Sequence, residues 1–156
     1  LDSKDSENSK AMATIKAFNE RFQAFDIEKV LVEVLLDKKA LVIEKNLDQL
    51  DEGFDANGNN MKQYAWQDYA VEKNQMNPKP GMGNPDLKYT GAFWQGFVLE
   101  ATQGTEYEIK STDGKASDLQ AKYGEIYGMT GKSRSEFIEE TYRNALANKV
   151  KDILQL

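Results

Sequence analysis

From Ile27 to Glu52 the chain carries no glycine and no proline, and from Leu36 onward the apolar residues Leu36, Ala40, Ile43, Leu47, Leu50 and Phe54 recur at intervals of four, three, four, three and four. That spacing is one face of an α-helix, not the every-other-residue alternation of a half-buried strand. It predicts one helix over Ile27–Glu52, with Asp26 as its N-cap and Gly53 as a left-handed stop. Such a helix of about 26 residues would be about 39 Å long at 1.5 Å per residue. In a chain of 156 residues, part of it would stand proud of a compact domain. The run Val30–Leu36 is apolar nearly all round. It fits a helix covered on two sides or a strand, and the lack of turn residues favours helix.

The rest of the chain supplies shorter pieces. Residues 1–10 (LDSKDSENSK) are polar and are expected to form a flexible arm. Ile15, Phe18, Phe22 and Phe25 then mark one stripe of an amphipathic helix. Asp55–Asn60 is a turn by composition, and Tyr64, Trp66 and Tyr69 follow as a dense aromatic patch on a short helix reaching about Lys73. All three prolines lie in Asn77–Pro85, a stiff extended loop. Phe97–Thr102 and Thr105–Ser111 read as two strands around Gln103-Gly104. Asp118–Tyr123 is a short helix. Ser133-x-x-Glu136 is a capping box opening a last helix, with Ile138, Tyr142, Ala145, Leu146, Val150 and Ile153 on one face. The sum is an α+β fold, with long amphipathic helices packed on a small antiparallel sheet and residues 11–156 forming a single domain.

Composition narrows the chemistry. The chain has no Cys and no His, which removes thiol nucleophiles, thiolate and imidazole metal sites and a His general base. The net charge of −6 disfavours broad nucleic-acid binding. That charge is uneven: residues 26–55 hold nine acids against four bases, whereas 132–152 hold five bases against four acids. Unlike patches of this kind suit self-association, and a solvated helix face explains them equally well. No window approaches the roughly 18 apolar residues of a membrane span. No basic-then-apolar signal segment is seen, and the start at Leu1 suggests that something was removed or left out. Missing cysteines fit a cytoplasmic origin.

Three motifs suggest chemistry and each falls short. Asp55-x-Asn57-x-Asn59 copies the first half of a calcium loop, but the sixth position is Asn60 and the twelfth is Trp66. A polar turn without metal is expected there. Gly131-Lys132-Ser133 lacks the earlier glycine of a phosphate-binding loop, since Ile126 stands in that place. Glu106 and Glu108 share one face of a strand, as solvated residues also do. No cofactor is expected. The aromatic cluster of Tyr64, Trp66, Tyr69, Tyr89, Phe93 and Trp94 suits either core or interface.

The order of the pieces carries a resemblance. Asn46-Leu47-x-Gln49-Leu50 on the long helix is followed by Gly53-Phe54-Asp55-x-x-Gly58, by Tyr64, Tyr69 and Lys73, and by the Pro/Gly loop. Then come Asp86-Leu87-x-x-Thr90-Gly91-x-Phe93, Phe97, and Tyr123-Gly124-x-Ile126-Tyr127-Gly128-Met129 before a terminal helix. Over residues 40–154 this resembles the virion-morphogenesis proteins of tailed phages and prophages, of the head–tail connector or tail-completion type. In that family a Leu…Thr-Gly signature precedes the strands, here Leu87, Thr90 and Gly91 with Phe93. The resemblance implies a non-enzymatic structural protein of the virion neck or tail, made in the host cytoplasm. It would assemble as a ring-like homo-oligomer and dock to adjacent neck or tail proteins. Tyr64, Trp66, Tyr69, Tyr89, Thr90, Gly91, Phe93 and Trp94 are then the candidate interface. The alternative is a small ligand- or protein-binding module whose pocket is lined by Tyr64, Trp66, Tyr89 and Trp94. A carboxylate-based enzyme is a third.

Overall fold

A computed structural model describes the backbone of residues 2–156 and the side chains of 10 and 12–156. Helix α1 (Asp2–Gln23) runs through the polar segment that was expected to form a loose arm. Leu1 lies outside the described residues. Asp26 caps the next helix as expected, its carboxylate accepting from the Lys29 N–H at 3.1 Å.

The single long helix is not observed. It divides at Lys38 into α2 (Ile27–Asp37) and α3 (Lys39–Asp51). Lys38 sits at φ −105° and ψ 10°, and its N–H is shared between the carbonyls of Val34 and Leu35. The two halves have different partners: α2 packs on the C-terminal helix, α3 on the first strand. A bend at Lys38 lets each bury its own apolar face, whereas a straight rod would bury only one. Gly53, at φ 85°, then stops α3 as expected. A Cβ there would lie 2.8 Å from the Cβ of Pro80, so the position needs glycine for space as well as conformation.

The turn at 55–60 is built by Asp55, whose Oδ1 accepts from the N–H groups of Asn57 and Asn59 at 2.9 and 2.8 Å. Helix α4 (Gln67–Met76) starts later than the aromatic patch suggested, and Tyr64 and Trp66 precede it. A four-residue helix, α5 (Ala92–Gln95), stands between the Thr90-Gly91 pair and the sheet. Strands β1 (Phe97–Ala101) and β2 (Tyr107–Ser111) pair antiparallel, with Leu99 opposite Ile109. Phe97 and Ile109 turn inward, while Glu100, Glu108 and Lys110 lie on the other face, where Lys110 pairs with Glu100. Glu106 belongs to the connecting turn, its N–H bonded to the Gln103 carbonyl, so it does not form a strand-face pair with Glu108.

After α6 (Ala116–Tyr123), the chain reaches α7 (Gly131–Phe137), a π-helical turn at Ile138–Tyr142, and α8 (Arg143–Leu154). The cap of α7 is Thr130, not Ser133: Thr130 Oγ1 accepts from the Ser133 N–H at 3.2 Å. Glu136 is turned to Lys45 and Lys132 instead of back to a cap.

The core gathers Val42 and Leu50 of α3, Met61, Phe93, Phe97, Ile109, Tyr123, Ile126 and Phe137. Two amides of α3 fasten the loop that crosses it. Asn46, fully buried, donates to the Ile126 carbonyl (3.1 Å) and accepts from the Gly128 N–H (2.9 Å). Gln49 donates to the Gly128 carbonyl (2.6 Å) and accepts from the Thr130 N–H (2.9 Å). The layout is thus α+β in one domain, with a two-stranded antiparallel sheet. No helix among the described residues is long and apolar enough to cross a membrane.

Candidate interaction site

The stiff loop after α4 is held by a buried ion pair. Lys73 Nζ lies 2.8 Å from Asp86 Oδ1, and the two side chains are 5% and 2% exposed. Each partner has further bonds that offset its desolvation. Lys73 donates to the Lys88 carbonyl at 2.6 Å. Asp86 accepts from the Lys88 N–H at 2.9 Å and from the Asn77 side-chain amide at 3.1 Å. Asn77 also donates to Asp51 at the end of α3, and Lys79 pairs with Asp51. Pro80 and Pro85 are buried, so this loop packs against the body of the protein. Leu87 then takes a left-handed φ of 56°, uncommon for a leucine, within the segment that the ion pair pins.

This anchoring shapes a cleft of about 310 Å³ lined by Tyr64, Tyr69, Tyr89, Leu119 and Tyr123, with Lys88, Lys115 and Asp113 among its polar residues. Tyr64 and Tyr69 meet edge to face at 4.9 Å, and Tyr69 lies 6.2 Å from Tyr89. Burial raises the Tyr64 phenol above its ordinary pKa, and the Asp86 carboxylate adds to that rise. Burial likewise raises Tyr69, with Tyr89 contributing. A second, more open depression with Trp66 and Lys122 adjoins it across Tyr64, Tyr69, Leu119 and Tyr123, and the two together are called the groove.

The eight candidate interface residues divide. Tyr64, Tyr69, Tyr89, Thr90 and Gly91 meet at the groove, and Trp66 joins it with 79% of its surface exposed. Phe93 lines the floor but is a core residue, stacked edge to face on Phe97 at 5.1 Å. Trp94 is half-buried, donates its indole N–H to the Asp86 carbonyl at 3.2 Å and carries the Lys88 ammonium over its ring at 4.4 Å. It braces the loop from outside the groove. Gly91, at φ 85°, starts α5, and Thr90 Oγ1 accepts from the Ala92 N–H at 3.3 Å. The Thr-Gly signature therefore serves as a helix start beside the groove.

The sequence reading missed the Lys73–Asp86 pair. Its only trace was an aspartate between proline and leucine, the one charged residue of Pro80–Leu87. The unlike charge patches meet partly inside one chain, since Glu33 pairs with Lys149 at 3.3 Å; Lys45 and Glu136, at 3.7 Å, join the two segments through their minority charges. Among the described residues no group of three or more acids is placed to hold a metal ion. The chain finds no match among protein-family models, curated proteins or solved structures.

Proposed function

We propose that this chain is a non-enzymatic structural protein of a phage or prophage particle, acting in the neck or in tail completion by ring-like self-assembly and docking to neighbouring virion proteins. The resemblance over residues 40–154 raises this reading. The observation that supports it is the pattern of uncovered apolar surface. Among the exposed large apolar side chains, which also include Met76, Met82 and Leu156, two groups stand out: Met12, Ile15 and Phe22 on α1 (74%, 61% and 59%), and Trp66 and Tyr89 at the groove (79% and 62%). Closed rings are made by heterologous contacts, in which two different faces of one chain meet. A chain with two such faces has what a ring requires. Mass measurement in solution combined with negative-stain imaging tests this. Rings of uniform diameter are the expected result, and a chain that stays monomeric up to millimolar concentration would overturn it.

The groove also favours a second reading, a binding module for a small ligand. A cleft of about 310 Å³ with tyrosine walls falls at the small end of ligand sites. Saturable quenching of tyrosine and tryptophan emission by a small aromatic compound, abolished by Tyr64→Ala, would shift the choice to this reading.

A further inference from the structure

We infer that α1 of one copy lies in the tyrosine groove of the next copy, which rests on the ring reading above and names its contact. In proteins a helix draws most of its stability from packing an apolar face rather than from propensity. Here α1 packs mainly on α8, where Arg21 donates to the Leu154 carbonyl at 3.1 Å. Met12, Ile15 and Phe22 are left open, with Phe18 stacked on Phe22 at 6.2 Å. With α8 against one side of α1, the open stripe on the other side is free to meet a second molecule.

The same chain carries a receptor of matching kind. Helix-in-groove recognition uses apolar anchors about one turn apart, set against an apolar or aromatic channel. Met12 to Phe22 spans about 15 Å along the helix axis. Tyr64, Tyr69 and Tyr123 run through both connected depressions of the groove, and Trp66 and Tyr89 stand at it. Charges agree as well. Lys16 and Glu20 lie beside the stripe on α1. The groove offers Asp113 to the first and Lys88, Lys115 and Lys122 to the second. Covering the exposed parts of these anchors removes on the order of 400 Å² per side, about half of the ~800 Å² per partner in a standard interface, and the polar rim can supply the rest. Since the two faces differ, the contact can repeat head to tail from copy to copy, as the ring reading requires; a wild type that closes instead as a reciprocal two-fold dimer would keep the contact and overturn the ring.

Mixing two variants decides the matter. Ile15→Ser with Phe22→Ser disables α1, and Trp66→Ala with Tyr89→Ala disables the groove. All four side chains are exposed, so circular dichroism and the melting temperature of the isolated subunits should barely change. Each variant alone should be monomeric, with association weakened at least about a hundredfold. The equimolar mixture should form a one-to-one dimer that grows no further, because one intact helix and one intact groove remain per pair. A groove variant that assembles like the wild type would overturn the inference and point to α1 pairing with α1. A mixture that stays monomeric would overturn it too. In both cases the ring reading survives if the wild type still forms rings. A monomeric wild type would end both.

Discussion

Asn46 and Gln49 hold the 126–130 loop against α3 with neutral amides, while Lys73 and Asp86 hold the 77–88 loop with opposite charges. Both constellations are buried, and both fasten a loop to a helix. The amides meet only backbone groups, each bond replacing one once made to water. The ion pair removes two full charges from water, a cost recovered only while both partners and their additional bonds remain. Neutral amides thus secure a loop that crosses the core. The charged pair secures the loop at the exposed groove, where failure of either partner would open it.

Asp86→Ala should have the largest effect, because it leaves the Lys73 ammonium buried without its partner. We expect a loss of about 3–5 kcal/mol in urea unfolding. Adding Lys73→Met to Asp86→Leu should recover part of that loss, since no buried charge is left over. Equal losses in single and double variants would break the contrast.

Asn46→Ala should cost about 2–4 kcal/mol, from stranding the Ile126 carbonyl and the Gly128 N–H. The same unfolding assay in 0.1 M and 1 M salt should give the same deficit, because no charge is involved. A strongly salt-dependent deficit would show that the amide region is electrostatically tuned after all.

Alkaline pH probes the groove side through Tyr64. Burial raises the Tyr64 pKa in the folded state, so the native chain holds that proton more tightly than the unfolded chain. The stabilisation is complete below the unfolded value of about 10 and declines as pH rises above it. Tyr64→Phe should make the decline above that pH shallower. An unchanged slope would assign the effect to Tyr69, Tyr127 and Tyr142, which burial also raises.

The smallest effect belongs to a pair with the same chemistry as Lys73–Asp86 but in water. Lys149 and Glu33 are 38% and 40% exposed, and Lys149→Ala should change stability by less than about 1 kcal/mol. A larger loss would mean that burial is not what separates the two kinds of pair.

Much of the local structure was legible in the residues. Asp26 and Gly53 marked helix ends, and the Gln103-Gly104 turn between alternating residues marked the hairpin, because caps and turns depend on one residue's own donors or torsions. The aromatic cluster was legible as a group, but its division was not. Phe93 and Tyr89 are four residues apart, and only packing sends one into the core and leaves the other at the groove. The break at Lys38 was hidden because Lys38 carries no helix-breaking signal; the bend comes from what α8 and β1 offer the two halves. The sequence pointed to Ser133, because Ser133-x-x-Glu136 matches a capping box; the cap falls at Thr130, where the Gln49 bond to the Thr130 N–H fixes the end of the loop.

By itself the sequence determined the α+β class, the two strands, the turn at Asp55 and the lack of histidine and cysteine chemistry, all of which depend on near neighbours or on composition. The tertiary structure decided which polar residues are buried and which apolar ones stay uncovered. Lys73 meets Asp86, Asn46 meets Gly128, and Met12, Ile15 and Phe22 stay largely exposed. Such facts depend on residues distant along the chain arriving at the same point, and no local periodicity records where they will meet.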